Sequence, residues 1–291
     1  MIIAAILIIA LIVLVGLSWQ VPEPGTIRQA RTGAFLPAGS PLEIPQLVRE
    51  DALATAKSLH RRNRNKQLRM AADMLATYRE IRDGDVLILF NSGGYGWSNL
   101  DKSSGDATII DAIEINLVNR GRAVTVLSYQ RSYRGLRGLV SEILNAGAKS
   151  IAKPKELALR ISFLWRHLPD LRVLLTAESN GTVMSNQVMR LMPDEPRLSS
   201  IEFGPPFWYD SYLNERVLNL RSNGKVPDAF SYGHWGSSIM ANFRALFGKS
   251  SKAPGKVLFY IGAPGHDYNW DDYPLIRERV QPFLDSNFPQ N

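Results

Sequence analysis

Six short apolar runs, each followed by polar or amphipathic sequence, constrain this chain more than any other feature. They are "VLILF" (86–90), "AVTVLSY" (123–129), "LRVLLTA" (171–177), "LSSIEF" (198–203), "RVLNLR" (216–221) and "KVLFYIG" (256–262). Each is of strand length, and the first has no polar position, as a strand buried on both faces requires. Helical patterns lie between them. Leu68, Ala71, Leu75, Tyr78 and Ile81 recur at helical spacing and stop at "DGD" (83–85). Residues 106–121 open with Asp106 as an N-cap candidate and close on Gly121, and residues 154–168 are helical. Further helices are expected from Asn180, around Ser237 to Phe247, and from about Pro274 to Leu284. Strands alternating with helices predict an α/β fold, a mostly parallel sheet flanked by helices on both faces. In such sheets the chemistry gathers in loops at the carboxyl ends of the strands.

The N-terminus reads differently. "IIAAILIIALIVLVGL", residues 2–17, contains no polar residue, no charge appears before Glu23, and Trp19 stands where an interfacial aromatic belongs. Residues 1–19 are therefore expected to form one transmembrane anchor. A cleaved signal peptide usually has a basic leading region and a small-x-small cleavage site, and neither is present. Arg28 and Arg31 follow the span but are offset in part by Glu23, which leaves the side of the membrane open. Residues 20–65 read as a tether rich in proline and glycine that runs into a basic stretch, and 66–291 as the α/β domain. The stretch "HRRNRNKQLR" (60–69) carries Arg61, Arg62, Arg64, Lys66 and Arg69 with no acid. It is either a solvated basic surface or a surface drawn to anionic headgroups, worth about 1 kcal/mol per basic residue. No aromatic-interleaved basic motif accompanies it, so no nucleic-acid partner is expected despite a net charge of +7.

The chain has no cysteine, which removes thiol nucleophiles, disulfides and Cys-ligated zinc. The nucleophile must come from elsewhere. Ser179, in Ala177-Glu178-Ser179-Asn180-Gly181, sits where the run 171–177 ends and an amphipathic helix begins. A tight strand-to-helix turn projects its central side chain above the sheet and demands small residues two before and two after. Ala177 and Gly181 meet that demand. The helix start then offers free N–H groups and a positive dipole end to any anion formed beside the serine. This is the nucleophile-elbow pattern, with alanine where glycine is commoner.

On these residues the chain resembles the α/β-hydrolase superfamily over about residues 84–291. The resemblance implies a serine hydrolase with a Ser-acid-His order along the chain. It places the base in the loop after the last strand, where "YIGAPGHDYNW" supplies His266, with His234 in "SYGHWGSS" as the fallback. His60 and His167 read as surface residues. The acid is expected in the loop after the penultimate strand, which carries Asp228. Asp210, after "GPPFWY", is the competitor. The resemblance also implies oxyanion donors from an early glycine loop and from the residue after the nucleophile. Here those are an amide near Gly93 or Gly94, in "LFNSGGYGW", and Asn180. That loop matches neither a P-loop nor a dinucleotide fingerprint. His266, Asp267, Asp271 and Asp272 form a polar cluster with no second histidine at ligand spacing, so neither metal nor cofactor is expected.

Two functional readings follow. The first is a membrane-tethered, single-pass serine hydrolase that cleaves a carboxylic ester, with a small-molecule or lipid-like substrate. The second is a non-catalytic, membrane-anchored binding protein on the same scaffold. Oligomeric state is not legible in the sequence.

Overall fold

The apolar run of residues 86–90 lies at the centre of a sheet. The computed structural model describes residues 26–29, 44–94, 96, 100, 104–131, 151–246 and 263–290. Within them β2 (Val86–Asn91) is buried at every position. Its side chains alternate between two cores, Leu87 and Leu89 to one face and Val86, Ile88 and Phe90 to the other. A strand with helices on both faces has no solvent side, which is why its sequence shows no alternation.

Around β2 the strands are β1 (Thr26–Gln29), β3 (Val124–Gln130), β4 (Arg172–Glu178), β5 (Leu198–Phe203) and β6 (Val217–Leu220). Their order in the sheet is β1-β3-β2-β4-β5-β6. Five strands run parallel, and β1 pairs antiparallel with the edge of β3. This is the mostly parallel, helix-flanked α/β sheet that the alternating pattern implies.

One face is covered by α1 (Gln46–Leu59), α2 (Arg64–Ile81), α4 (Ala152–His167) and α5 (Asn180–Leu191), which contribute Val48, Met74, Leu164 and Val188 to one core. The other is covered by α3 (Ser104–Asn119) and α7 (Pro274–Asn287), through Ile109, Ile113, Ile276 and Leu284. A further helix, α6 (Trp235–Leu246), follows β6. Helix α3 ends in a Schellman arrangement: Arg122 N–H bonds Leu117 O and Gly121 N–H bonds Val118 O. Arg120 ties the two helices of that face together, reaching Asp285 at 2.5 Å and Phe288 O at 3.0 Å.

Several expectations change. The segment read as a tether contains two packed elements, β1 and α1. Val48, Ala52 and Ala56 repeat every fourth residue and are buried, so the fold begins well before residue 66. Asp106 is no N-cap but lies in the first turn of α3, which starts two residues earlier. His167 is not a free surface residue, since its Nε2 lies 2.8 Å from Asp51 Oδ2. Among the described residues no helix is long and apolar enough to cross a membrane. The anchor at residues 2–17, tether residues 20–25 and 30–43, and the strand expected at 256–262 lie outside the described residues.

Candidate active site

Ser179 has φ 51° and ψ −124°, and it is the non-glycine residue with positive φ among those described. Such a conformation costs about 1–3 kcal/mol and persists only where its surroundings enforce it. Those surroundings are visible. Ser179 N–H donates to Phe203 O at 2.8 Å, and Ser179 O accepts from Thr182 Oγ1 at 2.6 Å. Two residues on, Gly181 passes directly over the end of β2. A Cβ there would meet the carbonyl oxygens of Asn91 and Ser92, the latter at 2.8 Å. Ala177 is wholly buried. The demand for small residues on either side of the serine is thus a backbone-on-backbone contact. Helix α5 starts immediately after Ser179 and directs its positive end there.

The acid and base come from loops remote in sequence. His266 Nδ1 lies 2.7 Å from Asp228 Oδ2. That oxygen also accepts the hydroxyl of Tyr268 at 2.7 Å and that of Ser231 at 3.1 Å. Oδ1 accepts the backbone N–H groups of Phe230 and Ser231. Asp228 is fully buried. Burial alone pushes its pKa up, but the hydrogen bond and charge of His266, with Tyr268 and Ser231, outweigh it and hold the carboxyl below its ordinary range. Burial also raises the Tyr268 hydroxyl, and the Asp228 charge raises it further, so that it stays a donor.

The end of β5 brings these groups to the serine. Phe203 accepts from Ser179, and the next residue, Gly204, lies against both His266 and Asp228. A Cβ at Gly204 would stand 2.5 Å from His266 Cε1 and 2.7 Å from Asp228 Oδ2. Among the described residues no hydrogen bond joins Ser179 to His266. Asp210 is placed elsewhere, its side chain fully exposed beside Arg190. His234 is exposed and stacks on Tyr232, and His60 lies at the end of α1, away from these loops.

The glycine loop follows β2. Gly93 lies against the serine: a Cβ there would stand 3.2 Å from Ser179 Cβ and 2.7 Å from Glu178 Oε2. The Glu178 carboxyl thus lies directly against Gly93. The N–H groups of Gly94 and Asn180 have no acceptor among the described residues. The Asn180 side chain reaches Gly94 O at 3.4 Å. Glu178 keeps some exposure as a residue, but its carboxyl is enclosed. Burial is the first cause that raises its pKa well above normal, and the charge and hydrogen bond of Asp106 add to it. In the loop after His266, Asp267 Oδ2 accepts the Tyr273 hydroxyl at 2.6 Å, while Asp271 and Asp272 are exposed.

Sequence reasoning missed Arg131, Glu178, Asp106 and Tyr268. Two left a signal. Glu178 occupies the variable position just before the serine of the elbow, and Arg131 is a charge set directly after β3. Arg131 is buried, and its guanidinium donates to Ser92 O at 2.9 Å and Gly94 O at 3.1 Å.

The chain is thus a mostly parallel α/β sheet with a strained serine turn after β4 and a carboxylate-held histidine beside the end of β5. No protein-family model matches the chain, and no curated protein matches it in sequence. Among solved structures it is similar to Trichoderma reesei cutinase in complex with a C11Y4 phosphonate inhibitor. The two are 14% identical, with a TM-score of 0.31, over 67% of this chain and 87% of that one.

Proposed function

We propose that this chain is a serine hydrolase of the α/β-hydrolase type that cleaves a carboxylic ester, with Ser179 as nucleophile. The observation that carries the reading is the strained Ser179 turn at the end of β4, beside a histidine already held by a buried carboxylate. Ser179 Oγ attacks the ester carbonyl while His266 takes its proton. The Asp228 carboxylate holds Nδ1–H, which keeps the other ring nitrogen free to act as base, and stabilises the imidazolium. The carbonyl oxygen becomes an anion before the amides of Gly94 and Asn180, at the positive end of α5. His266 then protonates the leaving alkoxide. Water, deprotonated by the same nitrogen, cleaves the acyl-enzyme and restores the serine.

An apolar acyl group suits the surroundings of His266. Its ring contacts Phe230 at 4.9 Å between centroids, Phe230 contacts Trp208 at 5.1 Å, and Trp208 contacts Phe207 at 5.0 Å. These rings lead outward to Trp208 and Phe207, both exposed. Membrane attachment through residues 2–17 is part of the same proposal and is supported by their composition. The exposed side chains of Arg61, Arg62, Arg64 and Lys66 add attraction to anionic headgroups.

A panel of p-nitrophenyl esters of increasing acyl length tests the reading. Wild type turns over at least one of them, with medium or long chains preferred, and Ser179→Ala does not while keeping its circular dichroism spectrum. Equal turnover by both proteins would remove Ser179 from the role.

A further inference from the structure

The peptide unit between Ser92 and Gly93 is held from both sides. Its carbonyl accepts the Arg131 Nη1–H at 2.9 Å. On its other side the Glu178 carboxyl lies against Gly93, where a Cβ would stand 2.7 Å from Glu178 Oε2. The next peptide unit is turned by a different bond, from Gly96 N–H to Gly93 O at 3.1 Å. The Gly94 N–H therefore points away from Gly96, and Gly94 O is in turn held by Arg131 Nη2 at 3.1 Å. A third bond, from Arg131 N–H to Gly96 O at 2.8 Å, closes the loop on the end of β3. Each carbonyl the Arg131 guanidinium holds lies on a residue next to Gly93, where a Cβ would stand 3.2 Å from Ser179 Cβ.

We propose that Arg131 and Glu178 are paired positioning residues that clamp the Ser92–Gly93 peptide between them and so aim the Gly94 amide at the oxyanion formed on the substrate of Ser179. This rests on the reading of Ser179 as nucleophile and assigns a task to two residues that take no part in the proton transfers. A planar guanidinium suits the task because its fork bonds two carbonyls at fixed separation, whereas lysine offers a single point charge. Glu178 is fixed in its turn by Ser179, its neighbour in the elbow. The nucleophile and the loop that receives the charge it generates are thus tied through one side chain. A loosened loop still binds the ester, whose carbonyl is neutral, and fails where charge develops, so the loss falls on kcat.

The test is a set of four variants assayed with the best ester and with a trifluoromethyl ketone that forms a tetrahedral adduct on the serine. Arg131→Met and Glu178→Leu each lower kcat by about 10- to 100-fold, below or at the loss from removing one oxyanion donor, and leave KM within about twofold. The ketone weakens by the same factor as kcat, and the product carboxylate does not. Glu178→Gln, which keeps a polar group of the same shape against Gly93, recovers most of what Glu178→Leu loses. Arg131→Lys falls between wild type and Arg131→Met. The double variant Arg131→Met/Glu178→Leu loses no more than the worse single one, because both hold one peptide. Wild-type kcat in folded Arg131→Met, or losses shared equally with KM and product binding, would overturn the inference. If Arg131→Met does not fold, Arg131→Lys and the two Glu178 variants decide by the same readouts. Fluorophosphonate labelling of wild type keeps the two questions apart. An unlabelled wild type refutes the nucleophile itself, and a labelled one with unaffected variants refutes only the clamp.

Discussion

His266 Nδ1 stands 2.7 Å from Asp228 Oδ2 across a separation of 38 residues in the chain. The carboxylate is buried and takes donors on both oxygens, so it cannot swing away, and neither can the ring it holds. Asp228→Asn keeps the shape but offers an amide where Nδ1–H needs an acceptor. It should lower kcat by about 10³- to 10⁴-fold with little change in KM. Steady-state kinetics on the purified variant check this, and a loss under tenfold would remove Asp228 from the mechanism.

Gly181→Ala should be far worse than its size suggests. The added methyl meets the carbonyls of Asn91 and Ser92, which are backbone at the end of the central strand and have no room to retreat. Overpacking of this kind costs about 1–3 kcal/mol, and the shift falls on the turn that holds Ser179. Denaturant unfolding should show that loss together with collapsed esterase activity. An alanine variant with wild-type stability would show the elbow to be less constrained than its contacts indicate.

Glu202 makes the protein's stability depend on pH. It lies wholly buried on β5, among Asn186, Ser200 and Asn219, and burial pushes its pKa up from 4.5 to about 8. Between those values the folded carboxyl holds a proton that the unfolded chain releases. Its contribution to stability is therefore complete below about pH 4.5 and declines as pH rises toward about 8. The decline is on the order of a few kcal/mol. Urea unfolding at pH 5, 6.5 and 8 should show it, and Glu202→Gln should flatten that part of the profile. An unchanged slope in the variant would place the pH dependence elsewhere.

Removal of residues 1–19 should leave a folded domain that no longer sediments with membranes, because β1 and α1 begin later in the chain. Full-length protein should resist carbonate washing. Release of full-length protein by carbonate, or its recovery with the N-terminus cleaved, would contradict an anchor.

What the sequence discloses follows the range of its interactions. β2 and β4 are legible because a strand covered on both faces must be apolar throughout. The Ser179 elbow is legible because its steric demand falls on neighbours two residues away. Asp228 and His266 are legible only as positions in loop order, since nothing in their own spacing brings them together. Helix α1 hides behind small residues: Ala52 and Ala56 are weak apolar markers, and the proline- and glycine-rich run before them masks the start. The grip of Arg131 on Ser92 and Gly94, the Glu178–Asp106 pair, and the Tyr268 bond to Asp228 join separate elements. No local pattern records such contacts.

The central claim is that Ser179 is a nucleophile activated by the Asp228–His266 pair. Its most direct test is covalent: the folded protein is incubated with a fluorophosphonate, and the adduct is located by intact-mass measurement and peptide mapping. The account predicts one phosphonyl group per chain, on Ser179, with labelling abolished in Ser179→Ala and slowed by orders of magnitude in His266→Ala. Absence of any adduct on folded wild type, or undiminished labelling of Ser179→Ala, would contradict it and leave the scaffold as a binding protein.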